Sequence, residues 1–215
     1  MRGKDNPRKK HFVEIAEGTL NAIKNASYTL EDVGEIYISD ALSRCLETTR
    51  LYSPESVLAS WQSRSARSSP NASSSSLPRN HPRSYQSAMG REKDCKILVI
   101  QTSTLAGARL LATTTARSGS RLIETGREDN KIGILNFASA KHPGGGYLNG
   151  AQAQEESVAR SSTLIPSLTS QIAKPFYTLH RHDPQAGYYS HSMIYSPNVL
   201  LLRDDDGEFL NTFFL

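Results

Sequence analysis

The chain of 215 residues is long enough for one full domain, or for a domain with a tail. Its two cysteines, Cys45 and Cys95, make no disulfide framework and fit a reducing compartment. No apolar run approaches the roughly 18 residues that span a bilayer, and Met1-Arg2-Gly3-Lys4-Asp5-Asn6 leads into no apolar signal core. These features predict an intracellular protein, cytoplasmic or nuclear, with no membrane partner.

The formal net charge of +4 is unevenly placed. Residues 1–10 carry +4 and residues 59–91 carry +5 without one acid, which leaves −5 for the remainder. A nucleic-acid groove needs positive charge clustered on a folded face, so no direct nucleic-acid partner is expected. Arg8-Lys9-Lys10 reads as a solvated end or as a targeting patch.

In chain order, the first element is a helix over 9–25. Phe12, Ile15, Ala16, Thr19, Leu20 and Ile23 form one apolar stripe at helical spacing. Glu35 to Ser39 is a short strand candidate, and 40–53 reads as a helix ended by Pro54. Residues 59–90 hold eleven serines and three prolines, a composition that cannot bury enough surface to offset its ordering entropy. This segment is a disordered insertion by expectation, with its serines either phosphorylated or plain linker. Lys96-Ile97-Leu98-Val99-Ile100-Gln101 predicts a strand covered on both faces. Ser103 or Thr104 then caps a helix to about Ala116, and Ile132 to Phe137 is a second buried strand. A helix over 151–164 stops before Pro166, and Met193 to Tyr195 and Asn198 to Leu202 are the last strand candidates. Strand, helix, strand, glycine loop and helix in that order predict an α/β layer fold with a mainly parallel sheet. Ligands of such sheets bind at the carboxyl ends of the strands, where the glycine loop falls.

That loop, Pro143-Gly144-Gly145-Gly146, is followed within a few residues by Gln154-Glu155-Glu156. Bare glycines let backbone N–H groups close around phosphate, and paired carboxyls are the usual equipment for cleaving a glycosidic bond. The run is neither a Walker loop nor a dinucleotide fingerprint, because the required Lys-Ser/Thr and glycine spacings are absent. Each half alone has a plain reading, a flexible turn and a solvated helix face. Together they point to a nucleotide-sugar substrate. Adjacent helical side chains diverge by about 100°, so Glu155 and Glu156 cannot share one role.

These residues resemble the microbial-type poly(ADP-ribose) glycohydrolases, built on the macrodomain fold. The family signature is three glycines, six to eight residues, then Gln-Glu-Glu; here seven residues separate Gly146 from Gln154. Asn136-Phe137-Ala138-Ser139-Ala140 and Ser157-Val158-Ala159-Arg160-Ser161-Ser162 match around it. So do Ala16 to Leu20, Ser103 to Leu105, Tyr195 to Val199 and Arg203 to Gly207. The resemblance implies a three-layer α/β/α macrodomain with a mainly parallel mixed sheet. It divides the chain into a basic flexible tail (1–8), an N-terminal helical part (9–58), a Ser-rich insertion (59–92) and a catalytic core (93–215).

It further implies hydrolysis of ribose–ribose bonds of poly(ADP-ribose), free or on ADP-ribosylated proteins, by a monomer that uses no cofactor or metal. Glu156 matches the catalytic acid. Glu155 and Gln154 would hold the ribose, Gly145 and Gly146 the diphosphate through their N–H groups, and Gly144, Asn136 and Ser139 further parts of the substrate. Burial would raise the pKa of the acid and a helix N-terminus would oppose the rise. Family members continue past the position of Leu215 through strands that carry a second phosphate loop. The resemblance therefore predicts a truncated core with an incomplete cleft and an unpartnered apolar end, Phe209 to Leu215. The alternative function is a non-catalytic or inactive relative that binds ADP-ribose. Other candidates are weaker: His180-Arg181-His182-Asp183 reads as a polar loop rather than a metal site, and Tyr188-Tyr189 as packing. His142 either touches substrate or only occupies the loop.

Overall fold

A computed structural model of the chain describes residues 6–56, 97–118, 132–137, 139–182 and 190–214. All of the Ser-rich insertion (59–92), Ala138, Asp183 and Tyr188-Tyr189 lie outside the described residues. Residues 6–56 and 102–214 belong to one compact unit, and 97–101 to a second.

Helix α1 (Pro7–Asn25) starts two residues before the expected 9–25. Asn6 caps it by accepting a hydrogen bond from the Arg8 N–H at 3.1 Å, and proline occupies the first helical position, where its missing N–H costs nothing. Phe12, Ile15, Ala16 and Thr19 of the stripe are buried. A hairpin follows, β1 (Ser27–Leu30) with β2 (Gly34–Tyr37). Gly34 takes the positive φ, +93°, that reverses the chain. Helix α2 (Ser39–Thr48) is shorter than the expected 40–53. Its tail, β3 (Arg50–Tyr52), pairs antiparallel with β4 (Met193–Tyr195), a distant partner that no local pattern announces.

Helix α3 (Thr104–Ser118) is capped by Ser103 as expected, the Ala106 N–H reaching its Oγ at 3.0 Å. The expected helix over 151–164 is two helices. They are α4 (Gln154–Ser161) and α5 (Leu164–Leu168), separated where Ser162 forms a bridge to Leu201. Pro166 sits within the first turn of α5, where a proline sacrifices no helical hydrogen bond. Helix α6 (Lys174–His182) was not expected.

Strand β5 (Leu200–Arg203) organises the interior. Leu200 and Leu202 pack with Ala22, Tyr28, Ile38 and Ala41, whereas Leu201 packs with Cys45, Leu105, Val158, Leu164 and Tyr177. Alternation along a strand sends neighbours to opposite faces, so β5 is covered on both. The apolar end of the chain is its partner: β6 (Phe209–Phe214) pairs antiparallel with β5, which corrects the expectation of an unpartnered end.

The expected mainly parallel sheet does not appear among the described residues. The described residues form three two-stranded sheets, all antiparallel, and no parallel pair. The two runs expected to be buried strands, Ile97–Ile100 and Ile132–Phe137, have no ladder partner among the described residues. A strand is defined by its neighbour's hydrogen bonds, and without one the side chains stay open. Val99 is 90% exposed and Phe137 73%.

Candidate active site

The glycine loop is a sequence of tight turns. Gly144 and Gly145 have φ of +72° and +56°, a left-handed conformation that side-chain-bearing residues rarely adopt. The first turn closes when the Gly145 N–H donates to the His142 carbonyl at 2.9 Å. A 3-10 turn, Tyr147–Asn149, then carries the chain to Gly150, and the buried Tyr147 ring packs with Ala16, Ala159 and Ile165. Helix α4 begins at Gln154, and its N-cap Ala153 supplies no side-chain cap. The side chains of the first turn instead face the loop, with two acids where the helix dipole favours negative charge.

Each member of the triplet holds a different stretch of backbone. Gln154 donates from Nε2 to the Leu135 carbonyl at 2.8 Å and accepts at Oε1 from the Phe137 N–H at 2.9 Å. One amide thus makes both bonds that a neighbouring strand would offer. Glu155 accepts from the Gly144 N–H at 3.0 Å and from the Ser139 N–H at 2.5 Å, one bond per oxygen. Glu156 accepts from the Gly146 N–H at 3.0 Å through Oε1, while its Oε2 is buried with no hydrogen-bond partner. Both glutamates are buried, at 3% and 8% exposure. Burial raises the pKa of Glu155, its two backbone bonds oppose the rise, and the charge of Glu156 adds to it.

Gly145 and Gly146 were expected to offer their N–H groups to a diphosphate. Here the N–H groups of Gly144 and Gly146 go to the carboxylates and that of Gly145 to His142. Buried donors need acceptors, and the first-turn carboxylates are the nearest. Close approach also explains the missing side chains: a Cβ on Gly145 would lie 2.3 Å from Glu156 Oε1. Ser139 donates its N–H to Glu155, and its Oγ accepts from the His142 N–H. His142 serves the loop through its backbone while its side chain stays exposed. Asn136 Oδ1 is buried without a partner. His180 is helical, not part of a loop: it is buried on α6, its Nδ1 2.7 Å from the Phe176 carbonyl and its Nε2 2.9 Å from Ser190 Oγ. No group of three metal-ligating side chains occurs among the described residues.

Two residues at the site were not expected. Arg160 is buried one turn after Glu156; it donates to the Ala151 carbonyl at 2.9 Å and to Ser157 Oγ at 2.8 Å, with its guanidinium 4.2 Å from the Phe12 ring centre. It ties the loop to both α4 and α1. Its i, i+4 spacing from Glu156 was the available signal. Tyr177 Oη is buried without a partner, and burial, then the charge of Glu155, raises its pKa. Nothing near Tyr177 in the sequence points to the loop.

The fold and the loop together define an α/β protein with a glycine loop closed on two buried carboxylates. The profile of the microbial-type PARG (poly(ADP-ribose) glycohydrolase) catalytic domain matches residues 16–204, and the chain belongs to that family. Among solved structures it is similar to the poly(ADP-ribose) glycohydrolase of Thermomonospora curvata bound to the inhibitor ADP-HPD. Identity is 32% over 96% of this chain and 60% of that one, with a TM-score of 0.67. A second structure of the T. curvata enzyme gives 32% identity, 96% and 62% coverage and a TM-score of 0.65. The Deinococcus radiodurans enzyme in complex with ADP-ribose is 31% identical over 80% of this chain and 52% of that one, with a TM-score of 0.51. The chain therefore spans about 60% of the length of the T. curvata enzyme. A search among curated proteins found no match. Among the described residues, no helix is long and apolar enough to cross a membrane.

Proposed function

We propose that this chain carries the catalytic loop of a poly(ADP-ribose) glycohydrolase, with Glu156 as the acid and base that cleaves ribose–ribose bonds. The observation that carries this reading is the division of labour within one carboxyl group. Oε1 is fixed by the Gly146 N–H at 3.0 Å, while Oε2 is buried and has no partner. An anchored carboxyl with one unspent oxygen is what proton transfer at a defined point requires. In the proposed reaction the proton of Glu156 passes to the glycosidic oxygen as the C1–O bond breaks, leaving an oxocarbenium-like ribose and a free hydroxyl on the leaving sugar. Water then adds to C1 and returns a proton to Glu156. One carboxyl serves both halves, and the substrate's own diphosphate supplies further charge stabilisation. Glu155, with both oxygens already held by N–H groups, keeps lone pairs for ribose hydroxyls. Gln154, Asn136 and Ser139 would border the sugar. The three glycines set the position of the carboxylates and, where substrate displaces these bonds, would turn their N–H groups to the diphosphate. For the whole protein we propose the three-layer macrodomain architecture with its mainly parallel sheet, acting as a monomer on poly(ADP-ribose) or ADP-ribosylated proteins inside the cell.

Incubation with poly(ADP-ribose) tests the reading. ADP-ribose should be released, and Glu156→Gln, nearly isosteric, should slow release by about 10²–10⁴-fold. Binding of ADP-ribose without release would favour the non-catalytic alternative. Release that survives Glu156→Gln would remove Glu156 from the mechanism.

A further inference from the structure

Most buried side-chain polar atoms find a hydrogen-bond partner. Tyr28, 5% exposed, follows that rule and donates to the Leu210 carbonyl at 2.7 Å. Tyr177 does not. It is 3% exposed, yet its Oη meets no partner. Packing explains the ring, which joins Val158, Leu164, Leu168 and Ala173 in the core and lies edge-on to Phe176, 5.2 Å between centres. Packing leaves the hydroxyl unexplained, because phenylalanine would fill the same space without desolvating an O–H. Local conflicts of this kind concentrate at functional sites.

The surroundings of Tyr177 point to the glycine loop. Val158 is three residues after Glu155 and shares its side of α4, so the Tyr177 ring packs along the side of the helix that carries Glu155. Helix α6 is also fastened to the loop. Arg181, one turn after Tyr177 on the same side of α6, donates from Nε to the Lys141 carbonyl at 2.9 Å. Lys141 stands between Ser139 and Gly144, the two residues whose N–H groups hold Glu155. Burial, and then the charge of Glu155, keeps the proton on the Tyr177 hydroxyl. The group is therefore a donor and not a base.

We propose that Tyr177 is a positioning residue that acts through Glu155. When substrate enters the glycine loop and takes up the Gly144 N–H, the Tyr177 O–H donates to the Glu155 carboxylate in its place. Without substrate each Glu155 oxygen has one N–H, and a carboxylate at 3% exposure depends on its donors. An N–H claimed by both the carboxylate and a ligand has to leave one of them. Replacing it from α6 keeps Glu155 anchored, with lone pairs still free for ribose hydroxyls. The inference rests on the reading of Glu155 as the residue that holds the ribose, and it adds Tyr177 to that task.

The test compares the full chain with Tyr177→Phe, Glu155→Gln and the double variant. Three quantities are measured: equilibrium binding of ADP-ribose, steady-state release of ADP-ribose from poly(ADP-ribose), and urea unfolding. Tyr177→Phe keeps the ring and removes only the hydroxyl. It should weaken ADP-ribose binding and raise KM by about tenfold, the worth of one hydrogen bond to a charged group. The chemistry at Glu156 is untouched, so kcat should stay within about twofold, the pattern of lost uniform binding. The unfolding midpoint should not fall. In the Glu155→Gln background the same exchange should cost about threefold or less, because an amide oxygen is a weaker acceptor than a carboxylate.

Unchanged binding and KM in Tyr177→Phe would overturn the inference and leave the substrate reading standing. An equal loss in both backgrounds would overturn it too, since the hydroxyl would then act elsewhere than on Glu155. So would a lower kcat together with a lower unfolding midpoint, which would make Tyr177 a packing residue. If the parent chain binds ADP-ribose without releasing any from the polymer, the binding measurements alone decide. If it neither binds nor releases, the substrate reading falls first and takes the inference with it.

Discussion

The segment from Ser139 to Ser161 and the runs Ile97–Ile100 and Ile132–Phe137 are opposites in composition and in outcome. The first is rich in glycine and serine and carries two adjacent glutamates, yet those glutamates are buried and hydrogen-bonded, at 3% and 8% exposure. The other two are rich in isoleucine, leucine and other large apolar residues, yet Ile97 is 88% exposed and Leu135 69%. Polar residues are inside and apolar residues outside because the two kinds of segment need different partners. The loop finds its acceptors in the first turn of the helix that follows it: the donors at Ser139, Gly144 and Gly146 meet carboxylates 16, 11 and 10 residues later. A two-faced strand needs neighbouring strands and covering layers, which are distant in sequence. Among the described residues Gln154 makes both hydrogen bonds to the Ile132–Phe137 run, through Leu135 and Phe137. The glycine loop is thus self-contained to a degree that the expected sheet is not.

The sharpest way to break that self-containment is Gly145→Ala. The left-handed φ of +56° strains any residue with a Cβ, and the new carbon would sit 2.3 Å from Glu156 Oε1. Backbone strain of this type costs of order 1–3 kcal/mol, and the carboxylate must move to make room. We expect a loss of about that size in urea unfolding, together with loss of any glycohydrolase activity. Adding Glu156→Ala should return part of the stability, because the clash partner is gone; strictly additive effects would show that the contact does not matter.

How much of this was legible follows from the range of the interactions. The buried stripe of α1, the Ser103 cap, strand Met193–Tyr195 and the spacing from Gly146 to Gln154 are all local patterns, and sequence alone located them. The partners were not local. Arg50–Tyr52 continues a helical pattern and becomes a strand because Met193–Tyr195 lies beside it. Tyr28 is buried because its ring stacks on Phe209, 4.7 Å away. Phe209–Phe214, apolar and without an obvious destination, is the hairpin partner of β5, turned by Gly207 at φ +94°. In the site the glutamates were legible as residue types, but the destination of the glycine N–H groups was not. Whether a backbone donor faces a ligand or its own helix depends on a turn geometry that composition does not encode.

A pH series sharpens the same comparison from the carboxylate side. Burial holds the pKa of Glu155 above its ordinary value. The folded state therefore binds the proton more tightly than the unfolded chain does, and its contribution is fully present below the unfolded pKa. That contribution is lost as pH rises through the higher folded pKa. In the window just above the usual carboxylate range, the midpoint of urea unfolding should fall as pH increases. Glu155→Gln removes the titration and should flatten this part of the profile, although it also gives up one of the two backbone bonds. A profile of unaltered slope in the variant would assign the pH dependence to other groups.

The smallest effect is expected where hydrophobicity would predict the largest. Leu135→Ser and Phe137→Ser each delete a large apolar side chain, which in a buried strand costs several kcal/mol. Here the side chains are 69% and 73% exposed, and what holds the segment is backbone, the Leu135 carbonyl and the Phe137 N–H on Gln154. A side-chain exchange leaves both bonds in place. Each substitution should shift unfolding by no more than about 0.5 kcal/mol, as exposed positions do, and should reduce any tendency to associate. Gln154→Ala should do more than either, because it removes both bonds at once. A loss of 2 kcal/mol or so for Phe137→Ser, on the scale of buried side chains, would mean that the run is covered in solution. The contrast between the loop and the apolar segments would then belong to the isolated fold alone.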